Sequence, residues 1–144
     1  MAVAREIPRE LRLAVRALED HKGQDILVLD LRKVSDATDF FLIASGTSDT
    51  HVRTLAERVL EAIREEGGHP HHVEGLTAGR WALLDFVDMV VHVFHPSLRA
   101  YYQLERLWAD APALTAQDVG ELAPAALVTS ATRKTGPAQR RRKT

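Results

Sequence analysis

The sequence predicts an α/β (α+β) domain: a mixed, roughly five-stranded sheet with packed helices. Three observations carry this. Short apolar runs rich in branched and aromatic residues recur as "ILVLDL" (26–31), "FFLIAS" (40–45) and "WALLDFVDMVVHVF" (81–94), each bounded by turn-forming residues. Between and around them, "PRELRLAVRALED" (8–20) and the stretch after Ser48 repeat apolar residues at helical spacing. The elements alternate in the order α-β-β-α-β-β-β-α, which no all-helical or all-strand architecture accommodates.

The first helix opens at Pro8, whose missing N–H costs nothing there. It places Ile7, Leu11, Ala14, Val15 and Leu18 on one face and ends in "HKGQD", with Gly23 as the stop. "ILVLDL" is a strand with a buried face, "RKVSDATD" a loop, and "FFLIAS" the second strand. "GTSDTHV" then turns the chain, with Ser48 or Asp49 capping a helix that turns Val52, Leu55, Ala56, Val59, Leu60 and Ile63 inward. Gly67, Gly68 and Pro70 terminate it. "HVEG" is a short strand, and the hairpin at 81–94 follows. Pro96 and Ser97 start a last helix, "LRAYYQLERLW", whose Leu98, Tyr101, Leu104, Leu107 and Trp108 cover the sheet.

The 144 residues suit a single domain over 1–112, because composition shifts to Ala, Pro, Thr and Arg beyond Pro112. Residues 113–144 are expected to be a mostly disordered basic tail, within which "TAQDVGELAPAAL" folds only briefly on a partner. Of 19 basic and 20 acidic residues, six and two lie from Leu114 onward, leaving 13 against 18 before it. The body is thus about −5 and the tail about +4. An acidic body is a poor direct ligand for phosphate backbones. Cysteine is absent, which removes disulfides, thiolate nucleophiles and Cys-ligated zinc. No apolar run reaches the roughly 20 residues of a membrane span, and the start lacks a secretory apolar region. The expectation is a cytoplasmic protein.

Three constellations invite chemistry. In the hairpin, alternation puts Trp81, Leu83 and Asp85 on one side of the first strand, and Val90, His92 and Phe94 on one side of the second. Asp85 and Asp88 flank Phe86-Val87, where carboxylates accept backbone N–H bonds. The plain reading, turn carboxylates and a half-buried histidine, outweighs a catalytic pair. "HPHH" (69–72) crowds imidazoles in a Pro-containing loop but lacks ligands from separated elements. "ASGTSD" (44–49) resembles the Gly-Ser start of nucleotidyltransferases, yet the next strand offers a lone Glu74 where those enzymes need paired carboxylates. There is no P-loop, no GxGxxG and no GxSxG. The expectation is no enzyme, no cofactor and no metal.

Taken in order, "GQDILVLDL", "TDFFLIASGTSDTHV", "VEG", "WALLDFVDMVVHVF" and "RAYYQLERLW" resemble the ribosomal silencing factor family (RsfS, or Iojap) from Gly23 to Trp108. The resemblance implies a nucleotidyltransferase-like topology lacking the catalytic carboxylates. It implies binding to the large ribosomal subunit through ribosomal protein uL14, steric blocking of subunit association, and repression of translation under nutrient limitation, as in stationary phase. Organellar relatives act in large-subunit assembly, so an assembly factor without anti-association activity is one alternative. A degenerate nucleotidyltransferase using "SGTSD" with Asp85 and Asp88 is the other. The partner-binding candidates are Trp81, Asp85, His92, Arg99, Tyr102 and Glu105, aromatic and Arg residues being the types enriched at interface hot spots. Trp81 covering the sheet, and Arg99 pairing with Asp88 or Glu105, are the competing roles. A homodimer off the ribosome and a tail contact with ribosomal RNA are further expectations. One departure stands out: the family usually has Gly at the hairpin tip, where this chain has Val87. If that position has φ > 0, Val87 is strained.

Overall fold

The structure, a computed structural model, describes residues 7–98 and 109–121. The helix expected over 98–108 lies almost wholly outside them. Helix α1 (Arg9–Asp20) begins as Pro8 predicts, with the N–H groups of Leu11 and Arg12 both donating to the Pro8 carbonyl. Its end differs in one respect from the sequence reading. Lys22, at φ 68°, takes the left-handed position, Lys22 N–H donates to Glu19 O, and Gly23 N–H donates to Leu18 O at 2.7 Å. Gly23 serves instead a close approach, since a Cβ there would press on the Leu18 carbonyl. Helix α2 (Asp49–Glu65) is capped by Ser48, whose Oγ accepts His51 N–H at 3.1 Å. It closes with the same bond pattern around Gly67, at φ 91°.

The strands β1 (Gln24–Asp30), β2 (Phe40–Ser45), β3 (His72–Glu74), β4 (Trp81–Asp85), β5 (Met89–Phe94) and β6 (Ala113–Thr115) form one sheet in the order β3-β4-β5-β2-β1-β6. Only β2 and β5 run parallel, in register from Phe40↔Met89 to Ser45↔Phe94. One face carries the main core: Leu11, Val15 and Leu18 of α1 and Leu55, Val59 and Ile63 of α2 pack on Val28, Leu42, Leu84, Val91 and Val93. Alternation turns Leu29, Ile43 and Phe94 to the opposite face, where with Leu31 they form a smaller buried cluster.

The sheet has six strands, one more than roughly five, and ordered structure passes the expected boundary at residue 112. Strand β6 pairs antiparallel with β1, and helix α3 (Ala116–Glu121) lies against α1. Leu114 and Val119 join the main core, and Arg12 Nη1 donates to the Val119 carbonyl at 2.9 Å. The start of α3 is a reciprocal cap: Thr115 N–H donates to Asp118 Oδ2 and Asp118 N–H to Thr115 Oγ1. Burial of two apolar side chains and these bonds outweigh the low intrinsic order of a short segment without a sustained apolar period.

Candidate functional site: an aromatic face beside the hairpin

The antiparallel register sets Trp81 opposite Phe94, Leu83 opposite His92 and Asp85 opposite Val90. Trp81 and His92 are therefore diagonal neighbours on one face. The indole Nε1–H of Trp81 donates to His92 Nδ1 at 3.3 Å. Phe94 lies beside both, its ring 4.9 Å from that of Trp81 and nearly parallel to that of His92 at 6.1 Å. Phe41, brought alongside by the parallel β2–β5 register, meets the imidazole edge-on at 4.7 Å.

This packing leaves His92 only 5% exposed. Burial lowers its pKa from the ordinary histidine value to about 4, so the ring is neutral near pH 7. Since Nδ1 accepts the indole proton, Nε2 carries the ring proton, and it is buried without a hydrogen-bond partner. Trp81 is the opposite case, with its nitrogen engaged and 45% of the residue exposed. Leu98, also exposed, sits at the same end of the sheet, because His95 N–H donates to the Arg80 carbonyl. The neighbouring turn is close-packed: Gly75, at φ 77°, lets the chain pass so near the Trp81 carbonyl that any Cβ would collide.

Asp85 does not join this group. It stands at the far end of β4, roughly 13 Å along the strand at ~3.3 Å per residue. Its Oδ1 accepts Val87 N–H at 2.8 Å. The Asp88 carbonyl accepts from Asp39 and Phe40, and the Glu10 carboxyl has its pKa pushed up by burial first and by the negative charge of Asp88 second. Asp85 thus serves its own turn through its carboxylate, whereas Asp88 holds the start of β2 through its backbone carbonyl. Arg99, Tyr102 and Glu105 lie outside the described residues. Sequence reading put Phe94 on the side of His92 without naming it a site residue, and it missed Phe41. The spacing of Phe94 from His92 was a usable signal, whereas Phe41 depends on a parallel pairing that local pattern does not encode.

The other constellations separate in space. His72 Nε2 contacts Glu74 Oε2 at 2.6 Å on an exposed strand, and among the described residues no three His, Asp or Glu side chains are grouped to hold a metal. At the carboxyl ends of the parallel pair, where open α/β sheets bind ligands, Gly79 packs onto the Asp49 carbonyl. Arg53 ties this loop down by donating to the Thr77 carbonyl at 3.1 Å. His51 fills the neighbouring space, its Nδ1 accepting Thr47 N–H and its Nε2 meeting the His21 carbonyl at 2.8 Å.

Comparison with known proteins gives the family of the chain. The family model "Ribosomal silencing factor during starvation" matches residues 4–143. The ribosomal silencing factor RsfS of Bacillus subtilis is 43% identical over 102 residues, covering 71% of this chain and 86% of that protein. Its counterpart in Halalkalibacterium halodurans is 41% identical over 109 residues, covering 76% and 93%. A crystal structure of a Chromobacterium violaceum protein superposes with a TM-score of 0.68 at 40% identity, covering 72% of this chain and 87% of that one. The chain belongs to the RsfS family of ribosomal silencing factors.

Proposed function

We propose that the chain binds the large ribosomal subunit through ribosomal protein uL14, sterically blocks subunit association and so represses translation when nutrients are limiting. The observation that carries this reading is Trp81, a large aromatic held in place yet 45% exposed, in a chain of this family. Large, rigid aromatics at such positions supply much of the energy of protein interfaces. With it we propose Asp85 at the far end of β4, His92 behind the indole, and Arg99, Tyr102 and Glu105 of the following segment as the remaining partner-binding residues. The mechanism needs no chemistry: a folded domain seated where the subunits meet prevents their bridges from forming. We assign it to the cytoplasm, as a homodimer when off the ribosome, with the basic tail reaching ribosomal RNA.

A non-enzymatic role is supported by the residues near the ends of β2 and β5, where Gly79 abuts the Asp49 carbonyl and the side chains of Arg53 and His51 are engaged with the backbone carbonyls of Thr77 and His21. It is also supported by the Asp85 carboxylate being taken up by the Val87 N–H of its own turn. The test is sedimentation of purified small and large subunits with and without the protein. Fewer joined ribosomes, in proportion to added protein, is the expected result. Undiminished joining with binding retained would assign an assembly role instead. Transfer of label from nucleotides with Mg²⁺, lost in Asp85→Asn, would establish the nucleotidyltransferase alternative.

A further inference from the structure

The pairing of a buried histidine with an exposed tryptophan has a consequence for what the surface offers. Indole has a single polar atom, its Nε1–H, and here that group is turned inward onto His92 Nδ1. The 45% of Trp81 that remains exposed therefore presents no side-chain donor. His92 cannot swivel to release it, because Phe41 meets the imidazole edge-on and Phe94 stacks parallel to it. Its other nitrogen gains nothing from this arrangement. Nε2 is buried and unpartnered, an unfavourable state that a purely structural residue at this position, such as Phe or Leu, would avoid.

From this we infer that His92 is a positioning residue for Trp81: it locks the indole with its N–H inward, so that the docking surface is an apolar ring edge suited to an apolar pocket on the partner. This rests on the ribosomal reading above and names the chemistry of the contact. A Trp free to turn its N–H outward would pair with a backbone or carboxylate acceptor. A Trp held by His92 instead loses affinity when its pocket contains an acceptor in need of a proton. Preorganisation of this kind lowers the entropy lost on binding without adding a contact.

The experiment uses the full chain and two variants. His92→Phe keeps a ring of similar size and removes the acceptor, and His92→Gln keeps an acceptor without the ring. Indole N–H exchange is read by proton–nitrogen NMR, with the Trp81 signal assigned through Trp81→Phe, and affinity is measured against purified large ribosomal subunits. In the wild type the Trp81 indole proton is expected to exchange slowly, and the imidazole nitrogen shifts to show a bare Nδ1 and a protonated Nε2. In His92→Phe the indole proton should exchange about tenfold faster and affinity fall about tenfold, while thermal stability holds or rises as the unpartnered Nε2–H disappears. His92→Gln should restore part of both. Unchanged indole exchange in His92→Phe, or faster exchange with full affinity, would overturn the inference. A wild type that fails to bind large subunits would sink the ribosomal reading, while the NMR comparison would still decide whether His92 holds Trp81.

Discussion

Val87 donates its backbone N–H to the carboxylate of Asp85, two residues earlier, at 2.8 Å, and does so at φ 76°. Asp88 N–H simultaneously reaches the Phe86 carbonyl at 2.9 Å, so Val87 is the centre of a three-residue γ-turn. For a β-branched residue this left-handed conformation is strained, by about 1–3 kcal/mol. Glycine, free of a Cβ, would meet the same turn without that strain.

Val87→Gly is accordingly expected to stabilise the protein. Relief of strain exceeds the added chain entropy of Gly in the unfolded state, for a net gain of about 1 kcal/mol. Little packing is lost, as Val87 is 55% exposed. Asp85→Ala should do the reverse, by about 1 kcal/mol, because the Val87 N–H loses its acceptor. Urea midpoints of the three proteins measure both effects, and a midpoint for Val87→Gly at or below wild type would refute the strain.

The buried imidazole predicts an acid sensitivity. The folded pKa of His92, about 4, lies below the unfolded value near 6.5. Between those pH values the unfolded chain holds the extra proton, so stability is full above pH 6.5 and falls as pH drops toward 4. The loss from this group alone is about 3 kcal/mol. Glu10 works the other way: its raised pKa means its contribution is present at low pH and lost as pH rises through the folded value. The acid decline is therefore shallower than His92 alone would give. In His92→Phe the decline between pH 6.5 and 4.5 should flatten further. Denaturant midpoints across that range check it, with parallel curves for the two proteins as the contrary outcome.

The segment after Pro112 predicts a difference between two truncations. Ending the chain after Pro112 removes Leu114 and Val119 from the core and strips β1 of its edge partner. At roughly 1.5–3 kcal/mol for each buried side chain, the loss should reach about 3–6 kcal/mol. Ending it after Glu121 keeps both and should leave stability near wild type. Thermal melts of the two proteins decide this, and equal melting temperatures would mean that β6 and α3 add nothing.

That segment also shows where sequence reading stops. The spacing Thr115-x-x-Asp118 is a capping signature visible in the chain, but Ala- and Pro-rich composition outweighed it and a three-residue strand gives no period to detect. The faces of β4 and β5 were legible from period-two alternation, which put Trp81 and His92 on the right sides. The inward faces of α1 and α2 followed from helical spacing in the same way. Phe41 was not legible as a neighbour of His92, since a parallel crossover joins residues whose sequence distance carries no pairing information. Nor did the pattern show that His92 would spend one nitrogen on Trp81 and leave the other unpartnered.

Trp81→Ala should separate binding from folding. With nearly half of the residue exposed, its truncation costs less stability than removal of a core aromatic. Its effect on affinity for large subunits should reach about 2 kcal/mol or more, a loss of roughly thirtyfold. The comparison pairs a melting curve with a binding isotherm. A folded variant with unchanged affinity would return Trp81 to a packing role alone.

The basic residues Arg133, Lys134, Arg140, Arg141, Arg142 and Lys143 follow Glu121 on a chain whose body is acidic. A domain docked on a large-subunit protein lies beside ribosomal RNA, and a tethered cationic segment meets nearby phosphates as an effectively intramolecular partner. Such contacts release counterions and weaken as salt is added. Truncation after Glu121 is therefore expected to leave binding to isolated uL14 intact and to weaken binding to whole large subunits, more at low ionic strength than at high. The measurement is six affinities, full-length and truncated chains against large subunits at two salt concentrations and against isolated uL14 at the lower one. Equal affinities at low salt would remove the tail from the interaction, and an equal loss against isolated uL14 would place its contact on the protein instead of the RNA.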